Sequence, residues 1–123
     1  MRVSQRAVNP GLNKQLYRLL YQVISDLKDP AEVEIFLQDF LDKTELQALA
    51  KRLAVAYYLD RNHHYQNIKQ NLKVSSATIA DINQQRNKRG YTLALKKIKA
   101  DEWAARWADK LSAITRLLAP KTR

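Results

Sequence analysis

Signals that begin a helix occur three times in the first 45 residues, and they constrain the fold more than any other feature. Each is an Asn or Asp whose side chain can accept hydrogen bonds from the first backbone N–H groups of a helix. Two of the three prolines occupy the next position, where a helix needs no N–H. In the later two signals a Glu follows three residues after the Asp, as in a capping box. The signals are Asn9-Pro10, Asp29-Pro30-Ala31-Glu32 and Asp42-Lys43-Thr44-Glu45.

Apolar residues follow each signal at the three- and four-residue spacing of one helix face. They are Leu12, Leu16, Leu19, Leu20, Val23 and Leu27; then Val33, Phe36, Leu37, Phe40 and Leu41; then Leu46, Leu49, Leu53, Ala56 and Tyr57. The third helix is predicted to end near Asp60. Because the chain has only two glycines, it holds little material for turn-rich β structure. The predicted fold is all-α, a multi-helix single domain over residues 1–123.

The polar residues 61–64, which include His63 and His64, are predicted to form a loop. Neighbouring residues point about 100° apart on a helix and no zinc-type spacing accompanies the two histidines, so they are interpreted as solvated. The chain has no cysteine, which excludes disulfides, thiolate metal sites and a cysteine nucleophile. That absence fits a reducing cytoplasm.

Residues 65–87 carry the apolar offsets of a helix-turn-helix. With Tyr65 counted as the first residue, the fourth, eighth, tenth, fifteenth and eighteenth positions are the ones that two short crossing helices bury. They are Ile68, Leu72, Val74, Ile79 and Ile82. Ser75 stands at the N-cap of the second helix and is expected to accept from the backbone N–H of Thr78. Lys73 departs from the pattern, because glycine usually fills this turn position, and a left-handed lysine costs about 1 kcal/mol.

The predicted second helix has an outer face of small or amide-bearing side chains, which suits a major groove about 12 Å wide. The predicted base contacts on this helix are Ser75, Ser76, Ala77, Asp81 and Gln84. The chain's net charge is +10, and residues 61–99 hold nine basic residues and one acidic residue. Such clustering beside a reading helix is typical of phosphate-backbone binding. The predicted phosphate contacts are Lys73, Thr78, Arg86, Lys88 and Arg89.

A C-terminal amphipathic helix is predicted over about residues 92–118, after Gly90. Its apolar residues are Leu93, Leu95, Ile98, Trp103, Trp107, Leu111, Ile114 and Leu118. The two tryptophans are interpreted as a packing surface rather than a ligand cage.

These patterns favour a sequence-specific duplex DNA-binding regulator and leave two alternatives open. One is a low-specificity DNA or RNA binder that relies on the basic block. The other is a helical protein-interaction module that uses the face of Trp103 and Trp107. An enzyme is not expected, because two glycines cannot build a phosphate-cradling loop and no set of nucleophile, base and acid is recognisable. No cofactor or metal is predicted, and no segment approaches the roughly 18 consecutive apolar residues of a membrane span.

Two motifs follow one another in a specific order. Residues 41–53 read Leu-Asp-Lys-Thr-Glu-Leu-Gln-Ala-Leu-Ala-Lys-Arg-Leu, and residues 74–79 read Val-Ser-Ser-Ala-Thr-Ile. Together they resemble the tryptophan-repressor superfamily, particularly its uncharacterised Trp-repressor-like branch. The similarity spans roughly residues 16–91 and does not account for the residues that follow. It implies a cytoplasmic repressor that is an intertwined homodimer, with two reading helices in successive major grooves.

The resemblance also implies an effector pocket from which this sequence departs. In the tryptophan repressor the corepressor lies between the long central helix and the recognition helix, held by an arginine from each. Arg52 matches the central arginine and Thr78 a nearby threonine, as a possible remnant of the pocket. Asp81 replaces the second arginine and Ile82 replaces a glycine. A like charge facing the ligand carboxylate, and a branched side chain in the remaining space, predict a closed site and no L-tryptophan corepressor.

Overall fold

The structure, a computed structural model, describes residues 1–118 apart from the side chains of Thr115 and Leu118. The described residues form six helices and no strand, which confirms the all-α prediction. The helices are α1 (Pro10–Asp26), α2 (Pro30–Phe40), α3 (Lys43–Asp60), α4 (Tyr65–Leu72), α5 (Ser76–Gln85) and α6 (Arg89–Leu118). The chain divides into two units, Met1–Leu46 and Gln47–Arg123, and the single domain stays a prediction.

Helices α1 and α2 begin at the residues that the sequence indicates. Asn9 Oδ1 accepts from the backbone N–H of Gly11 at 3.0 Å, and Pro10 is the first helical residue. Asp29 Oδ1 accepts from the backbone N–H of Ala31 at 3.0 Å. The N-cap bond therefore forms one residue earlier than in a capping box, and Glu32 does not complete the predicted box.

The predicted capping box at the start of α3 does form. Glu45 donates its backbone N–H to Asp42 Oδ1 at 2.7 Å, and Asp42 donates its backbone N–H to Glu45 Oε1 at 2.9 Å. The N–H of Glu45 favours the ionised carboxylate and so lowers the pKa of Asp42 below its ordinary value. Two backbone donors at the helix start are thus satisfied by side chains.

In the first unit α1 exposes its apolar face, whereas the apolar residues of α2 are mostly half-buried. Neither α1 nor α2 contains a buried residue. Side chains along α1 are between 37% and 64% exposed, and they include Leu12, Leu16, Leu19, Leu20, Val23 and Ile24. Helices of this length are stabilised mainly by packing of the apolar face. The apolar face of α1 is therefore left without a covering surface among the described residues.

The second unit contains the core. Among the described residues of this unit, seven apolar side chains are buried: Val55, Ala56, Leu59, Ile68, Ile79, Ile82 and Leu95. They come from α3, α4, α5 and the first half of α6, so the two short helices share one core with their longer neighbours. Residues 61–64 form the predicted loop between α3 and α4, and His63 and His64 are exposed.

Helix α6 begins at Arg89, about three residues earlier than predicted. The backbone N–H of Thr92 donates to the carbonyl oxygen of Lys88 at 3.1 Å and closes the first turn. Gly90 lies inside that turn, and a Cβ there would meet no atom within 4 Å. Gly90 therefore lies within α6 and does not separate the helix from the basic residues Lys88 and Arg89.

Glu102 marks where α6 ceases to pack on the core. The Tyr57 hydroxyl donates to Glu102 Oε1 at 2.6 Å, and Arg61 forms an ion pair with the same carboxylate. Every described side chain from residue 103 to 117 is exposed. Trp103 and Trp107 are 58% and 46% exposed, with ring centroids 5.7 Å apart. The side chain of Leu118, the last residue of the predicted stripe, lies outside the described residues.

Candidate nucleic-acid interface

Helices α4 and α5 are joined by a three-residue turn, residues 73–75. Lys73 adopts the left-handed conformation, with φ 55° and ψ 51°, and its N–H donates to the carbonyl oxygen of Lys69 at 2.9 Å. Lys51 Nζ, on α3, donates to the carbonyl oxygen of Lys73 at 3.4 Å. Ser75 Oγ accepts from the backbone N–H of Thr78 at 3.1 Å, which confirms the predicted cap. Hydrogen bonds to α4, α5 and α3 therefore fix the conformation of the turn.

Replacing Lys73 with glycine is expected to raise the free energy of unfolding by about 0.5–1 kcal/mol. Glycine adopts φ 55° without the steric cost that a lysine bears, although the unfolded chain gains some freedom. Chemical denaturation measures the difference. Asn62→Gly is the matched control, because Asn62 has φ 62° but asparagine tolerates this region better. A Lys73→Gly variant less stable than the wild type would contradict the argument.

The two sides of α5 differ completely in burial. Ile79 and Ile82 are 0% and 4% exposed and face the core. All the predicted base contacts, together with Ala80, are exposed: Ser75, Ser76, Ala77, Asp81 and Gln84. A helix that is buried on one side and bears small or polar side chains on the other can approach the surface of a large partner closely. Their contacts with bases stay a prediction.

The predicted phosphate contacts lie at both ends of α5. Lys73 and Thr78 are exposed near its N-terminus, and Lys88 and Arg89 are exposed after its C-terminus. Arg86 is partly buried, and its Nε donates to Asn83 Oδ1 at 2.9 Å. Residues 76–85 contain no Lys or Arg. Positive charge therefore flanks the exposed face of α5 and is absent from the face itself.

A cleft of about 610 Å³ lies between α3 and α5 and is lined by Arg52, Thr78, Asp81 and Ile82, with Lys51 and Lys73 beside them. Ile82 is only 4% exposed and packs mainly in the core, and the closure of this site to L-tryptophan stays a prediction. A second cleft of about 500 Å³ shares Arg52 and Asp81 and extends to Lys88 and Tyr91.

Two side-chain contacts of the second unit have no local sequence signal. Lys51 and Lys73 are 22 residues apart, and Tyr57 and Glu102 are 45 residues apart. Gln85 Nε2 donates to Asp81 Oδ2 at 3.0 Å, and the spacing of four residues within one helix was a signal that could have indicated this bond.

Among residues 1–118, no group of three or more His, Asp or Glu could hold a metal ion. No helix described here has the length and apolar character needed to cross a bilayer.

Comparison with known proteins identifies the family. The chain matches the family of the Trp repressor protein over residues 15–99. It is 34% identical over 91 residues to "Uncharacterized protein YerC" of Bacillus subtilis (strain 168), which covers 72% of this chain and 86% of the relative. No solved structure matches the chain significantly. The helix-turn-helix and the two clefts lie inside the matched region, and the chain therefore belongs to the Trp repressor family, a family of DNA-binding regulators.

Proposed function

We propose that this protein is a sequence-specific transcriptional regulator, acting as a repressor in the cytoplasm, that reads the major groove of duplex DNA with α5. The observation that carries the proposal is the exposed face of α5, which rests on a buried core and has cations at both ends but none on the face. Small side chains allow the helix to approach base edges, and flanking cations meet phosphates on both sides of a groove. The DNA-binding family supports the same conclusion.

A low-specificity nucleic-acid binder is the second candidate, favoured by the nine basic residues among residues 61–99. The absence of cations from α5 argues against it, because a helix that binds mainly through charge would carry charge where it meets DNA. Titration of a selected duplex and a scrambled duplex at one salt concentration separates the two functions. A sequence-specific regulator is expected to prefer the selected duplex by about 10³-fold or more, whereas equal affinities would favour the second candidate.

We expect the functional unit to be a homodimer, and the exposed apolar face of α1 supports this. Covering such a face requires another surface, and a second copy provides an identical one by two-fold symmetry. Sedimentation at micromolar concentration is expected to give about twice the 14.3 kDa chain mass. Leu16→Gln should weaken association, whereas Lys14→Gln, on the opposite face of α1, should not. A wild-type monomer that still bound a palindromic duplex tightly would contradict the dimer.

L-tryptophan is expected not to strengthen DNA binding. Asp81 lines the cleft between α3 and α5, and its carboxylate would repel the like-charged carboxylate of an amino-acid ligand. Ile82 stands there where the resemblance implies a glycine, which reduces the space for such a ligand. Calorimetric titration with millimolar L-tryptophan should give no saturable heat. Asp81→Arg removes the repulsion, so any residual affinity should increase in that variant. Saturable binding to the wild type that tightens its DNA complex tenfold would contradict the prediction.

A further inference from the structure

Three residues form the centre of the exposed face of α5. Helical geometry, at about 100° per residue, places Ala77, Ala80 and Gln84 within about 60° of one another. They point away from the buried Ile79 and Ile82. A partner that contacts the middle of this face therefore meets the methyl groups of the two alanines and the amide of Gln84.

Gln84 is the uncommitted member of three consecutive amide side chains. Asn83 Oδ1 accepts from Arg86 Nε at 2.9 Å, and Gln85 Nε2 donates to Asp81 Oδ2 at 3.0 Å. The exposed side chain of Gln84 makes no hydrogen bond to any other described residue. Its neighbours on both sides are tied to the protein, whereas its own donor and acceptor both remain available to a partner.

The chemistry of this face matches one kind of base pair. A glutamine amide can donate to adenine N7 while accepting from adenine N6, and an alanine methyl packs against the 5-methyl group of thymine. Guanine presents two acceptors, which arginine or lysine reads best, and α5 has neither. Asp81, at the edge of the face, accepts only and would suit cytosine N4 at a flanking position, so the choice at the centre rests on Gln84 and the two alanines.

We propose that α5 selects A·T base pairs at the centre of each half-site, with Gln84 bidentate on adenine and Ala77 and Ala80 against thymine methyl groups. The proposal rests on the proposed function, since it concerns which sequence the same helix reads. One bidentate contact discriminates between bases by roughly 5- to 150-fold.

Selection of bound duplexes from a random pool tests this proposal with the full chain. The wild type is expected to enrich A·T pairs at neighbouring positions of each half-site, and Gln84→Ala is expected to lose the preference at one of them. Gln70→Ala, an exposed glutamine on α4, is the matched control and should keep the wild-type preference. Because Gln84 is exposed, thermal melting of its variant should match the wild type.

Changes to the DNA test the same contacts without altering the protein. Uracil in place of thymine removes one methyl group and should weaken binding about fourfold at a contacted position. 7-Deazaadenine removes N7, and it should weaken binding of the wild type but not of Gln84→Ala, because the variant has already lost the partner.

The outcomes separate the proposal from the proposed function. If no duplex is enriched and none is preferred over a scrambled sequence, the proposed function fails and the inference fails with it. If a duplex is enriched but the preference is unchanged in Gln84→Ala, or the central positions are G·C, only the inference is overturned.

Discussion

Replacing Ile79 with alanine is expected to destabilise the second unit by about 2–5 kcal/mol and to abolish DNA binding at physiological temperature. Ile79 is 0% exposed and lies in the core shared by α3, α4, α5 and α6. Truncation removes buried methyl groups and leaves a cavity that the surrounding helices can fill only in part. Because domains are stable by only about 5–15 kcal/mol, a loss of this size removes much of the total.

Chemical denaturation at one fixed protein concentration measures the effect of Ile79→Ala, since association also contributes to stability. Gln84→Ala is the matched control on the same helix, because its side chain is exposed and should change stability by less than about 0.5 kcal/mol. Equal midpoints for the two variants would mean that α5 does not pack on the core in solution. The Ile79 variant would also be expected to lose specific and non-specific DNA binding together.

The affinity for duplex DNA is expected to fall about 10³-fold between 50 mM and 200 mM salt. Each neutralised phosphate releases counterions and contributes about −0.9 to the slope of log affinity against log salt. Arg86, Lys88 and Arg89, doubled in a dimer, would supply six such contacts and a slope of about −5. Titrations at four or more salt concentrations measure the slope directly.

Two lysine variants show which charges produce the salt dependence. Lys88→Ala should reduce the magnitude of the slope by about two, because a dimer loses two phosphate contacts. Lys99→Ala is the matched control: Lys99 Nζ lies 3.3 Å from Asp60 Oδ2 and is already paired within the protein. A wild-type slope near zero, or equal changes in the two variants, would contradict the assigned phosphate contacts.

Local signals were sufficient to predict most of the helix starts. The cap at Asn9, the box of Asp42 and Glu45, and the cap at Ser75 each involve residues no more than three apart, so the sequence shows both partners. The apolar offsets of the helix-turn-helix also predicted the burial of Ile68, Ile79 and Ile82, whereas Leu72 and Val74, predicted to be buried as well, are only partly buried against the same core. Such features depend on backbone geometry that every helix shares.

Features that depend on distances between helices could not be predicted in the same way. The resemblance implies that Ile82 replaces a glycine, but only the structure shows that its side chain packs in the core and is 4% exposed beside a cleft lined by Arg52. The bond between Tyr57 and Glu102 joins residues far apart in the chain, and nothing near either residue indicates the other. At Glu32 the capping pattern was present, but Asp29 bonds to Ala31 instead.

The attachment of α6 through Glu102 implies that one continuous helix has two levels of protection against amide hydrogen exchange. Before Glu102, opening a turn would uncover Leu95 and neighbouring core residues, so those amides should exchange only when the second unit unfolds. After it, every described side chain up to residue 117 is exposed, and opening uncovers little buried surface. In dilute protein the exchange rate should therefore rise abruptly along α6 after Glu102, although the secondary structure there does not change.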